Sequence, residues 1–158
     1  MTLPRRLITL ALTLFSVVSI LGAWGFEAAG ILPCAMCYWQ RWGHWAALGF
    51  GWLAFFLGHR VWYYLAGVGA LSTSLIGFYH SGVERKWWPG PSSCTGAGLS
   101  SDAGDLLSLE APVMPMCDEI PWEMFGVTMA NLNAVGSLVV AGLWFWIATK
   151  PNGPIRLF

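Results

Sequence analysis

Residues 7–26 read LITLALTLFSVVSILGAWGF, twenty consecutive positions without a charged side chain. A helix needs about 20 apolar residues to cross the hydrocarbon of a bilayer. Three more runs carry no charge: 42–58, 61–83 and 124–149. Together they set four spans, approximately 7–26, 40–58, 61–82 and 124–149, with loops at 27–39 and 83–123. The first run is too long for a signal-peptide core and no small-residue cleavage site follows it, so it is read as a retained helix. Composition agrees. The 158 residues are 56% apolar and 15% aromatic but only 10% charged, where soluble domains run near ~25% charged. That excludes a soluble globule and a disordered chain. Eight Lys and Arg balance eight Asp and Glu, which leaves no basic footprint for nucleic acid. The expectation is a single all-α membrane domain over residues 1–158.

Charge placement orients it. One side of the four spans collects the N-terminus, the turn near 59–60 and the C-terminus, with Arg5, Arg6, Arg60, Lys150 and Arg156 and no acid. The other side holds Arg41, Arg85 and Lys86 among eight acids. Lys and Arg favour the cytoplasmic side, so both termini are expected there and both longer connections outside. Small residues in the third span (Gly67, Gly69, Ala70, Ser72, Ser74, Gly77) and the fourth (Gly136, Ser137, Gly142) suit close helix packing in lipid. Tryptophans near span ends, among them Trp24, Trp42, Trp87, Trp88, Trp122, Trp144 and Trp146, read as an aromatic belt. Within the long outer loop, residues 99–110 admit two readings, a short interfacial amphipathic helix or an irregular acidic loop.

All four cysteines fall in the outer segments: Cys34 and Cys37 in the short one, Cys94 and Cys117 in the long one. Sorting of this kind points to disulfides in an oxidising compartment. Four cysteines allow three connectivities. Pairing Cys34 with Cys37 is the simplest, and it leaves Cys94 with Cys117. A bridge across two residues restricts the unfolded chain very little, so Cys34-Ala35-Met36-Cys37 suits redox work better than stapling. Pro33 suits the first position of a helix, and a helix N-terminus favours thiolate. Arg41 lies four residues after Cys37, on the same helical face, as a cation beside the sulfurs. A c-type haem site is excluded because Tyr38 stands where a His is required, and the wide spacing of Cys94 and Cys117 argues against zinc, so no metal is expected. No nucleotide fingerprint is present and no thiol lies on the inner side. A lipid-soluble quinone is then the natural acceptor for a dithiol at the bilayer edge. The competing readings are a membrane protein with two static disulfides and no turnover, and a quinone-linked reductase of the vitamin K epoxide reductase type.

The run Pro33-Cys34-Ala35-Met36-Cys37-Tyr38-Trp39-Gln40-Arg41 resembles the Cys-x-x-Cys-Tyr-x-Gln-Arg signature of the disulfide bond formation protein B (DsbB) family. Tyr79-His80-Ser81-Gly82-Val83-Glu84, Trp87-Trp88-Pro89-Gly90-Pro91, Ser93-Cys94 and Cys117-Asp118-Glu119-Ile120-Pro121-Trp122 are similar to its compact branch. The resemblance covers roughly residues 5–150. It implies a four-helix transmembrane bundle in the bacterial inner membrane, with a short and a long periplasmic loop. It implies a protein-dithiol:quinone oxidoreductase. A periplasmic DsbA-like thioredoxin-fold partner attacks the Cys94–Cys117 disulfide, and Cys117 then attacks Cys34 of the Cys34–Cys37 pair. Cys37 is freed as a thiolate beside ubiquinone or menaquinone, and Arg41 stabilises that thiolate and the quinone oxygen. His80, at the outer end of the third span, is a candidate to line the quinone site. Tyr38 and Gln40 receive no role; His44, one turn into the second span, is a weaker candidate for the same pocket.

Overall fold

The computed structural model describes residues 2–95, 115–151 and 155–156; the candidate interfacial helix at 99–110 lies outside them. Four helices form, α1 (Arg5–Ala28), α2 (Ala35–Leu57), α3 (Arg60–Glu84) and α4 (Met129–Thr149), with four two-residue strands: β1 (Thr2–Leu3), β2 (Glu123–Met124), β3 (Val127–Thr128) and β4 (Ile155–Arg156). Among the described residues, α1, α3 and α4 are long and apolar enough to cross a membrane, with mean hydropathies of 2.1, 1.3 and 1.6. Helix α2 matches them in length, at 23 residues, but Gln40, Arg41 and His44 fall within it.

The helices pack through their small residues. Helix α3 lies against both α2 and α4, and α1 rests mainly on α2. A Cβ on Gly69 would stand 2.7 Å from the Ala47 nitrogen, and one on Gly77 would stand 3.1 Å from the Ala134 nitrogen and Cα. A side chain at Gly69 would force the α2 backbone to shift, and Gly77 sits in a tight crossing, as expected where packing rather than water drives association. The side-chain distribution is inverted relative to a soluble bundle. Val18, Phe56, Val68, Leu75 and Val139 face outward, while Thr9, Thr13, Ser16, Thr73, Ser74 and Ser137 are buried. Several of these hydroxyls close on carbonyls, such as Thr13 on Thr9 at 2.8 Å and Ser74 on Ala134 at 2.7 Å. That satisfies them where no water can.

Two sequence expectations change in detail. The fourth uncharged run does not start as helix. Residues 123–128 form the β2–β3 hairpin, whose two-residue loop, Phe125 (φ 52°) and Gly126 (φ 78°), is a type I′ turn. Helix α4 begins at Met129 with a capping box between Thr128 and Asn131. Absence of charge marks apolarity, and it does not distinguish a hairpin from a helix. Trp144 does not belong to the interfacial belt. It is fully buried against Tyr63, with ring centroids 6.1 Å apart, whereas Trp24, Trp42 and Trp87 are exposed.

The two ends of the bundle differ. At one end β1 pairs antiparallel with β4, and Arg5 donates to the carbonyls of Ile147 (2.7 Å), Lys150 (3.2 Å) and Pro151 (3.1 Å). Both termini therefore meet there. The other end gathers the last turns of α1 and α3, the first turns of α2 and α4, and all four cysteines.

Candidate redox site

Cys34 is the N-cap of α2, and its sulfur accepts the Cys37 amide N–H at 3.3 Å. Pro33 thus stands just before the cap instead of at the first helical position. One turn of helix brings the Cys37 sulfur to 2.9 Å from that of Cys34. Both are thiols in the structure, so the Cys34–Cys37 bond expected from sequence is not closed here, although the sulfurs are adjacent. The Cys94–Cys117 disulfide is formed, with its Cα atoms 5.3 Å apart. It packs with Cys34, Met36 and Val83 in one buried cluster. Cys117 is fully buried and Cys94 nearly so, at 7% exposure.

The two thiols of α2 are not equivalent. The hydrogen bond from Cys34 holds Cys37 below the usual thiol range, against the opposing effect of burial; the Cys34 backbone and the Arg41 charge add smaller contributions. Cys34 is pushed up by the same contact and by burial. The pair therefore gives up one proton readily and holds the second on Cys34.

Arg41 lies against the expected neighbourhood with a different principal partner. Its guanidinium donates to Glu27 at the end of α1 at 2.8 Å and to the Ala23 carbonyl at 3.5 Å, and it lies 5.1 Å over the Tyr38 ring. Glu27 offsets much of the charge that sequence spacing assigned to the sulfurs. The Arg41 Nε is buried without a hydrogen-bond partner among the described residues.

His80 faces Cys34, with Nε2 3.6 Å from the sulfur. Its other nitrogen meets the Gln40 side chain at 3.0 Å. Gln40 also receives Asn133 from α4 at 2.6 Å, and Asn133 in turn meets His44 at 2.8 Å and the Thr73 hydroxyl at 3.0 Å. A chain of polar side chains thus runs from the sulfurs into the bundle. Beside it, buried Glu84 accepts from the Thr128 hydroxyl at 2.6 Å. Sequence reading gave Gln40 no role, offered His44 only as a weaker candidate for the pocket, and did not single out Asn133, Glu27 or Glu84. The available signal was a polar amide inside an otherwise uncharged span, which is costly in lipid unless paired.

Cys34, Cys37, Gln40, Arg41, His44, His80, Glu84 and Asn133 line one cavity of about 420 Å³, walled otherwise mostly by apolar residues of α1, α4 and the connections at 31–33 and 115–121, such as Phe15, Ile20 and Leu132. Apolar walls with a few convergent polar groups are the usual make-up of a small-molecule site. The ligand atoms of Cys34, Cys37 and His80 also lie within 4.8 Å of one another, close enough to share a metal ion.

Residues 5–147 match the family model of the disulfide bond formation protein DsbB, nearly the whole chain. No curated protein and no solved structure matches the chain.

Proposed function

The chain belongs to the DsbB family of membrane thiol oxidoreductases, and from that membership we propose that it is a quinone-coupled protein-dithiol oxidase of the bacterial inner membrane. It reoxidises a periplasmic DsbA-like thioredoxin-fold dithiol and delivers the electrons to ubiquinone or menaquinone. All four helices, α2 included, span the bilayer, with both termini cytoplasmic. The observation that carries this reading is the placement of Cys34 and Cys37 on the wall of a mostly apolar cavity, with the Cys94–Cys117 disulfide packed against them.

The exchange steps balance as thiolate attacks on disulfides. A thiolate of the partner bonds to Cys94, breaking Cys94–Cys117 and releasing Cys117 as thiolate. Cys117 bonds to Cys34 of the oxidised pair, and Cys37 leaves as thiolate. The depressed Cys37 thiol suits it to that leaving role. The partner's second thiol displaces Cys94, and the partner departs oxidised. Cys94 then displaces Cys34 from Cys117, which restores the loop disulfide and leaves a reduced Cys34–Cys37 pair.

A quinone, when bound, supplies an acceptor for the two electrons and two protons of the pair. The residues present fit it. The cavity has the volume for a substituted ring, its walls are apolar, and Arg41 keeps an unpartnered Nε among the described residues. Arg41 orients and stabilises the anionic sulfur of Cys37, and Glu27 holds Arg41 in place.

The test uses detergent-solubilised full chain, a reduced thioredoxin-fold dithiol protein and a short-chain ubiquinone or menaquinone, with quinone absorbance followed. Wild type is expected to consume quinone with the dithiol, and Cys37→Ser is expected to abolish this. Folded protein that turns over neither quinone would overturn the reading in favour of static disulfides.

A further inference from the structure

The hydrogen bonds around His80 determine which of its nitrogens carries the proton. Two backbone carbonyls set the starting points. Gln40 meets the Met36 carbonyl at 3.2 Å, so the amide atom there is the donor, Nε2. Asn133 meets the Thr73 carbonyl at 3.4 Å and the Thr73 hydroxyl at 3.0 Å, so its Nδ2 faces α3. A carbonyl accepts only, and neither amide can turn over without setting two acceptors against each other. With Asn133 fixed, its Nδ2 donates to Gln40 Oε1 at 2.6 Å, and its Oδ1 accepts from His44 Nε2 at 2.8 Å and Ser137 at 3.0 Å. The Gln40 orientation is therefore fixed from both ends. Its Nε2 donates to His80 Nδ1 at 3.0 Å, so Nδ1 is an acceptor and the ring proton of neutral His80 is on Nε2. That nitrogen stands 3.6 Å from the Cys34 sulfur and 3.9 Å from Glu84 Oε1, and the Cys117 backbone carbonyl, which also hydrogen-bonds the ring, shares its proton.

We propose that Gln40 and Asn133 are positioning residues that lock His80 as a hydrogen-bond donor to the Cys34 sulfur. This inference rests on the redox reading of the Cys34–Cys37 pair and deepens it. A donor at Cys34 stabilises that sulfur whenever it carries negative charge. It does so when Cys94 displaces it from the interloop bridge, and again when the pair gives up its second proton on oxidation. A locked Nε2–H also means that His80 does not take the proton from Cys34, and that it turns a hydrogen, instead of a lone pair, toward the two sulfurs. The three groups then do not form a ready metal site despite their proximity. His80 touches the reacting sulfur; Gln40 and Asn133 act through it.

The tautomer can be read without any turnover assay. Nitrogen NMR of the full chain in detergent micelles, with histidine labelled and the His80 signals assigned by their loss in His80→Asn, is expected to show an Nε2–H tautomer in wild type. Gln40→Glu keeps the size of the side chain and, as the carboxylate, can only accept; at a pH where the NMR shows it ionised, it is expected to shift His80 to Nδ1–H. Reactivity follows in a Cys37→Ser background, where Cys34 is the remaining thiol of the pair. Gln40→Glu is expected to slow alkylation of Cys34 at fixed pH by about tenfold, the worth of one hydrogen bond to a charged group. Asn133→Leu leaves the Met36 carbonyl to orient Gln40 and is expected to give a smaller slowing. An Nδ1–H tautomer in wild type overturns the proposal. So does unchanged Cys34 reactivity in Gln40→Glu once the tautomer has shifted. Quinone turnover is a separate measurement, so a failure of the oxidase reading leaves these outcomes intact.

Discussion

Arg5 and Arg41 are both held at helix ends, at opposite poles of the bundle, and their surroundings separate structure from chemistry. Arg5 is 9% exposed, lies 4.4 Å over the Tyr63 ring and donates to three carbonyls at the C-terminus of α4. Those carbonyls are among the orphans of a helix end, so the guanidinium caps α4 and ties it to α1. Fully buried Trp144 and Ile147 close the core beneath. Arg41 has one carboxylate and one long carbonyl contact, lies over the Tyr38 ring and stands on the wall of a cavity. The same side chain therefore seals a helix end at one pole and lines a cavity at the other. The polar groups nearby follow suit. At the closed pole they end on backbone, as Thr9 does on Arg5 at 2.9 Å, and at the open pole they lead to a sulfur.

The sharpest way to break this contrast is to truncate both arginines. Arg5→Ala leaves three carbonyls without their partner and is expected to cost about 2–3 kcal/mol. For a chain of this size that lowers the thermal midpoint by roughly 5–10 °C, measured in constant detergent, with the KM for quinone unchanged. Arg41→Ala removes a pair whose carboxylate is 34% exposed, so the stability cost is expected to stay under about 1 kcal/mol. The KM for quinone should nevertheless rise about tenfold, the equivalent of one charge-assisted bond. Equal stability losses in the two variants would dissolve the distinction between the poles.

Packing at the middle of the bundle offers the next effect in size. Gly69→Val puts a branched side chain where a Cβ already meets the Ala47 nitrogen at 2.7 Å and the Gly43 carbonyl at 3.1 Å. Overpacking of this kind costs about 1–3 kcal/mol, visible as a lower midpoint in the same unfolding assay.

Acid titration sharpens the open pole. Cys37 is held below its ordinary value, chiefly by the Cys34 hydrogen bond. A depressed folded-state value means that the thiolate contributes stability above the unfolded thiol value, about 8.5, and that this is lost as pH falls through the folded value. Alkylation of Cys37 in the reduced protein is therefore expected to persist at neutral pH, with its midpoint below that of a free thiol. In Cys34→Ala the midpoint should move upward. A midpoint unmoved by that change would mean that the neighbouring sulfur is not what holds the thiolate.

How much of this was visible in the sequence follows from how local each signal is. Four uncharged runs mark four helices because helix and bilayer share a length scale, and Pro33-Cys34 marks the start of α2 because caps are local. The pole shared by all four cysteines follows from counting crossings. What escaped depends on contacts between distant positions. Arg41 spacing pointed to the sulfurs, and only the packing of α1 on α2 brings Glu27 to it. Asn133 lies 93 positions from the Gln40 it bonds. Trp144 looks interfacial by its place near a span end, and rotation about the helix axis buries it. The β2–β3 hairpin escaped because Met124 through Val127 carry no charge and resemble the span that follows.

That hairpin supplies the smallest expected effect, and the one of opposite sign. Phe125 holds φ at 52° and is 97% exposed, so its ring gains no packing in return for a conformation that disfavours a Cβ. Type I′ loops prefer Asn-Gly, and Gly126 already follows. Phe125→Asn is therefore expected to raise stability by about 1 kcal/mol, with helix α4 still capped by Thr128 and quinone turnover unchanged. A stability gain accompanied by weaker turnover would show that the ring makes a contact outside the chain. Unchanged or lower stability would mean that the strain at 125 is already compensated, and that the open pole is more tightly built at its rim than the exposure of Phe125 indicates.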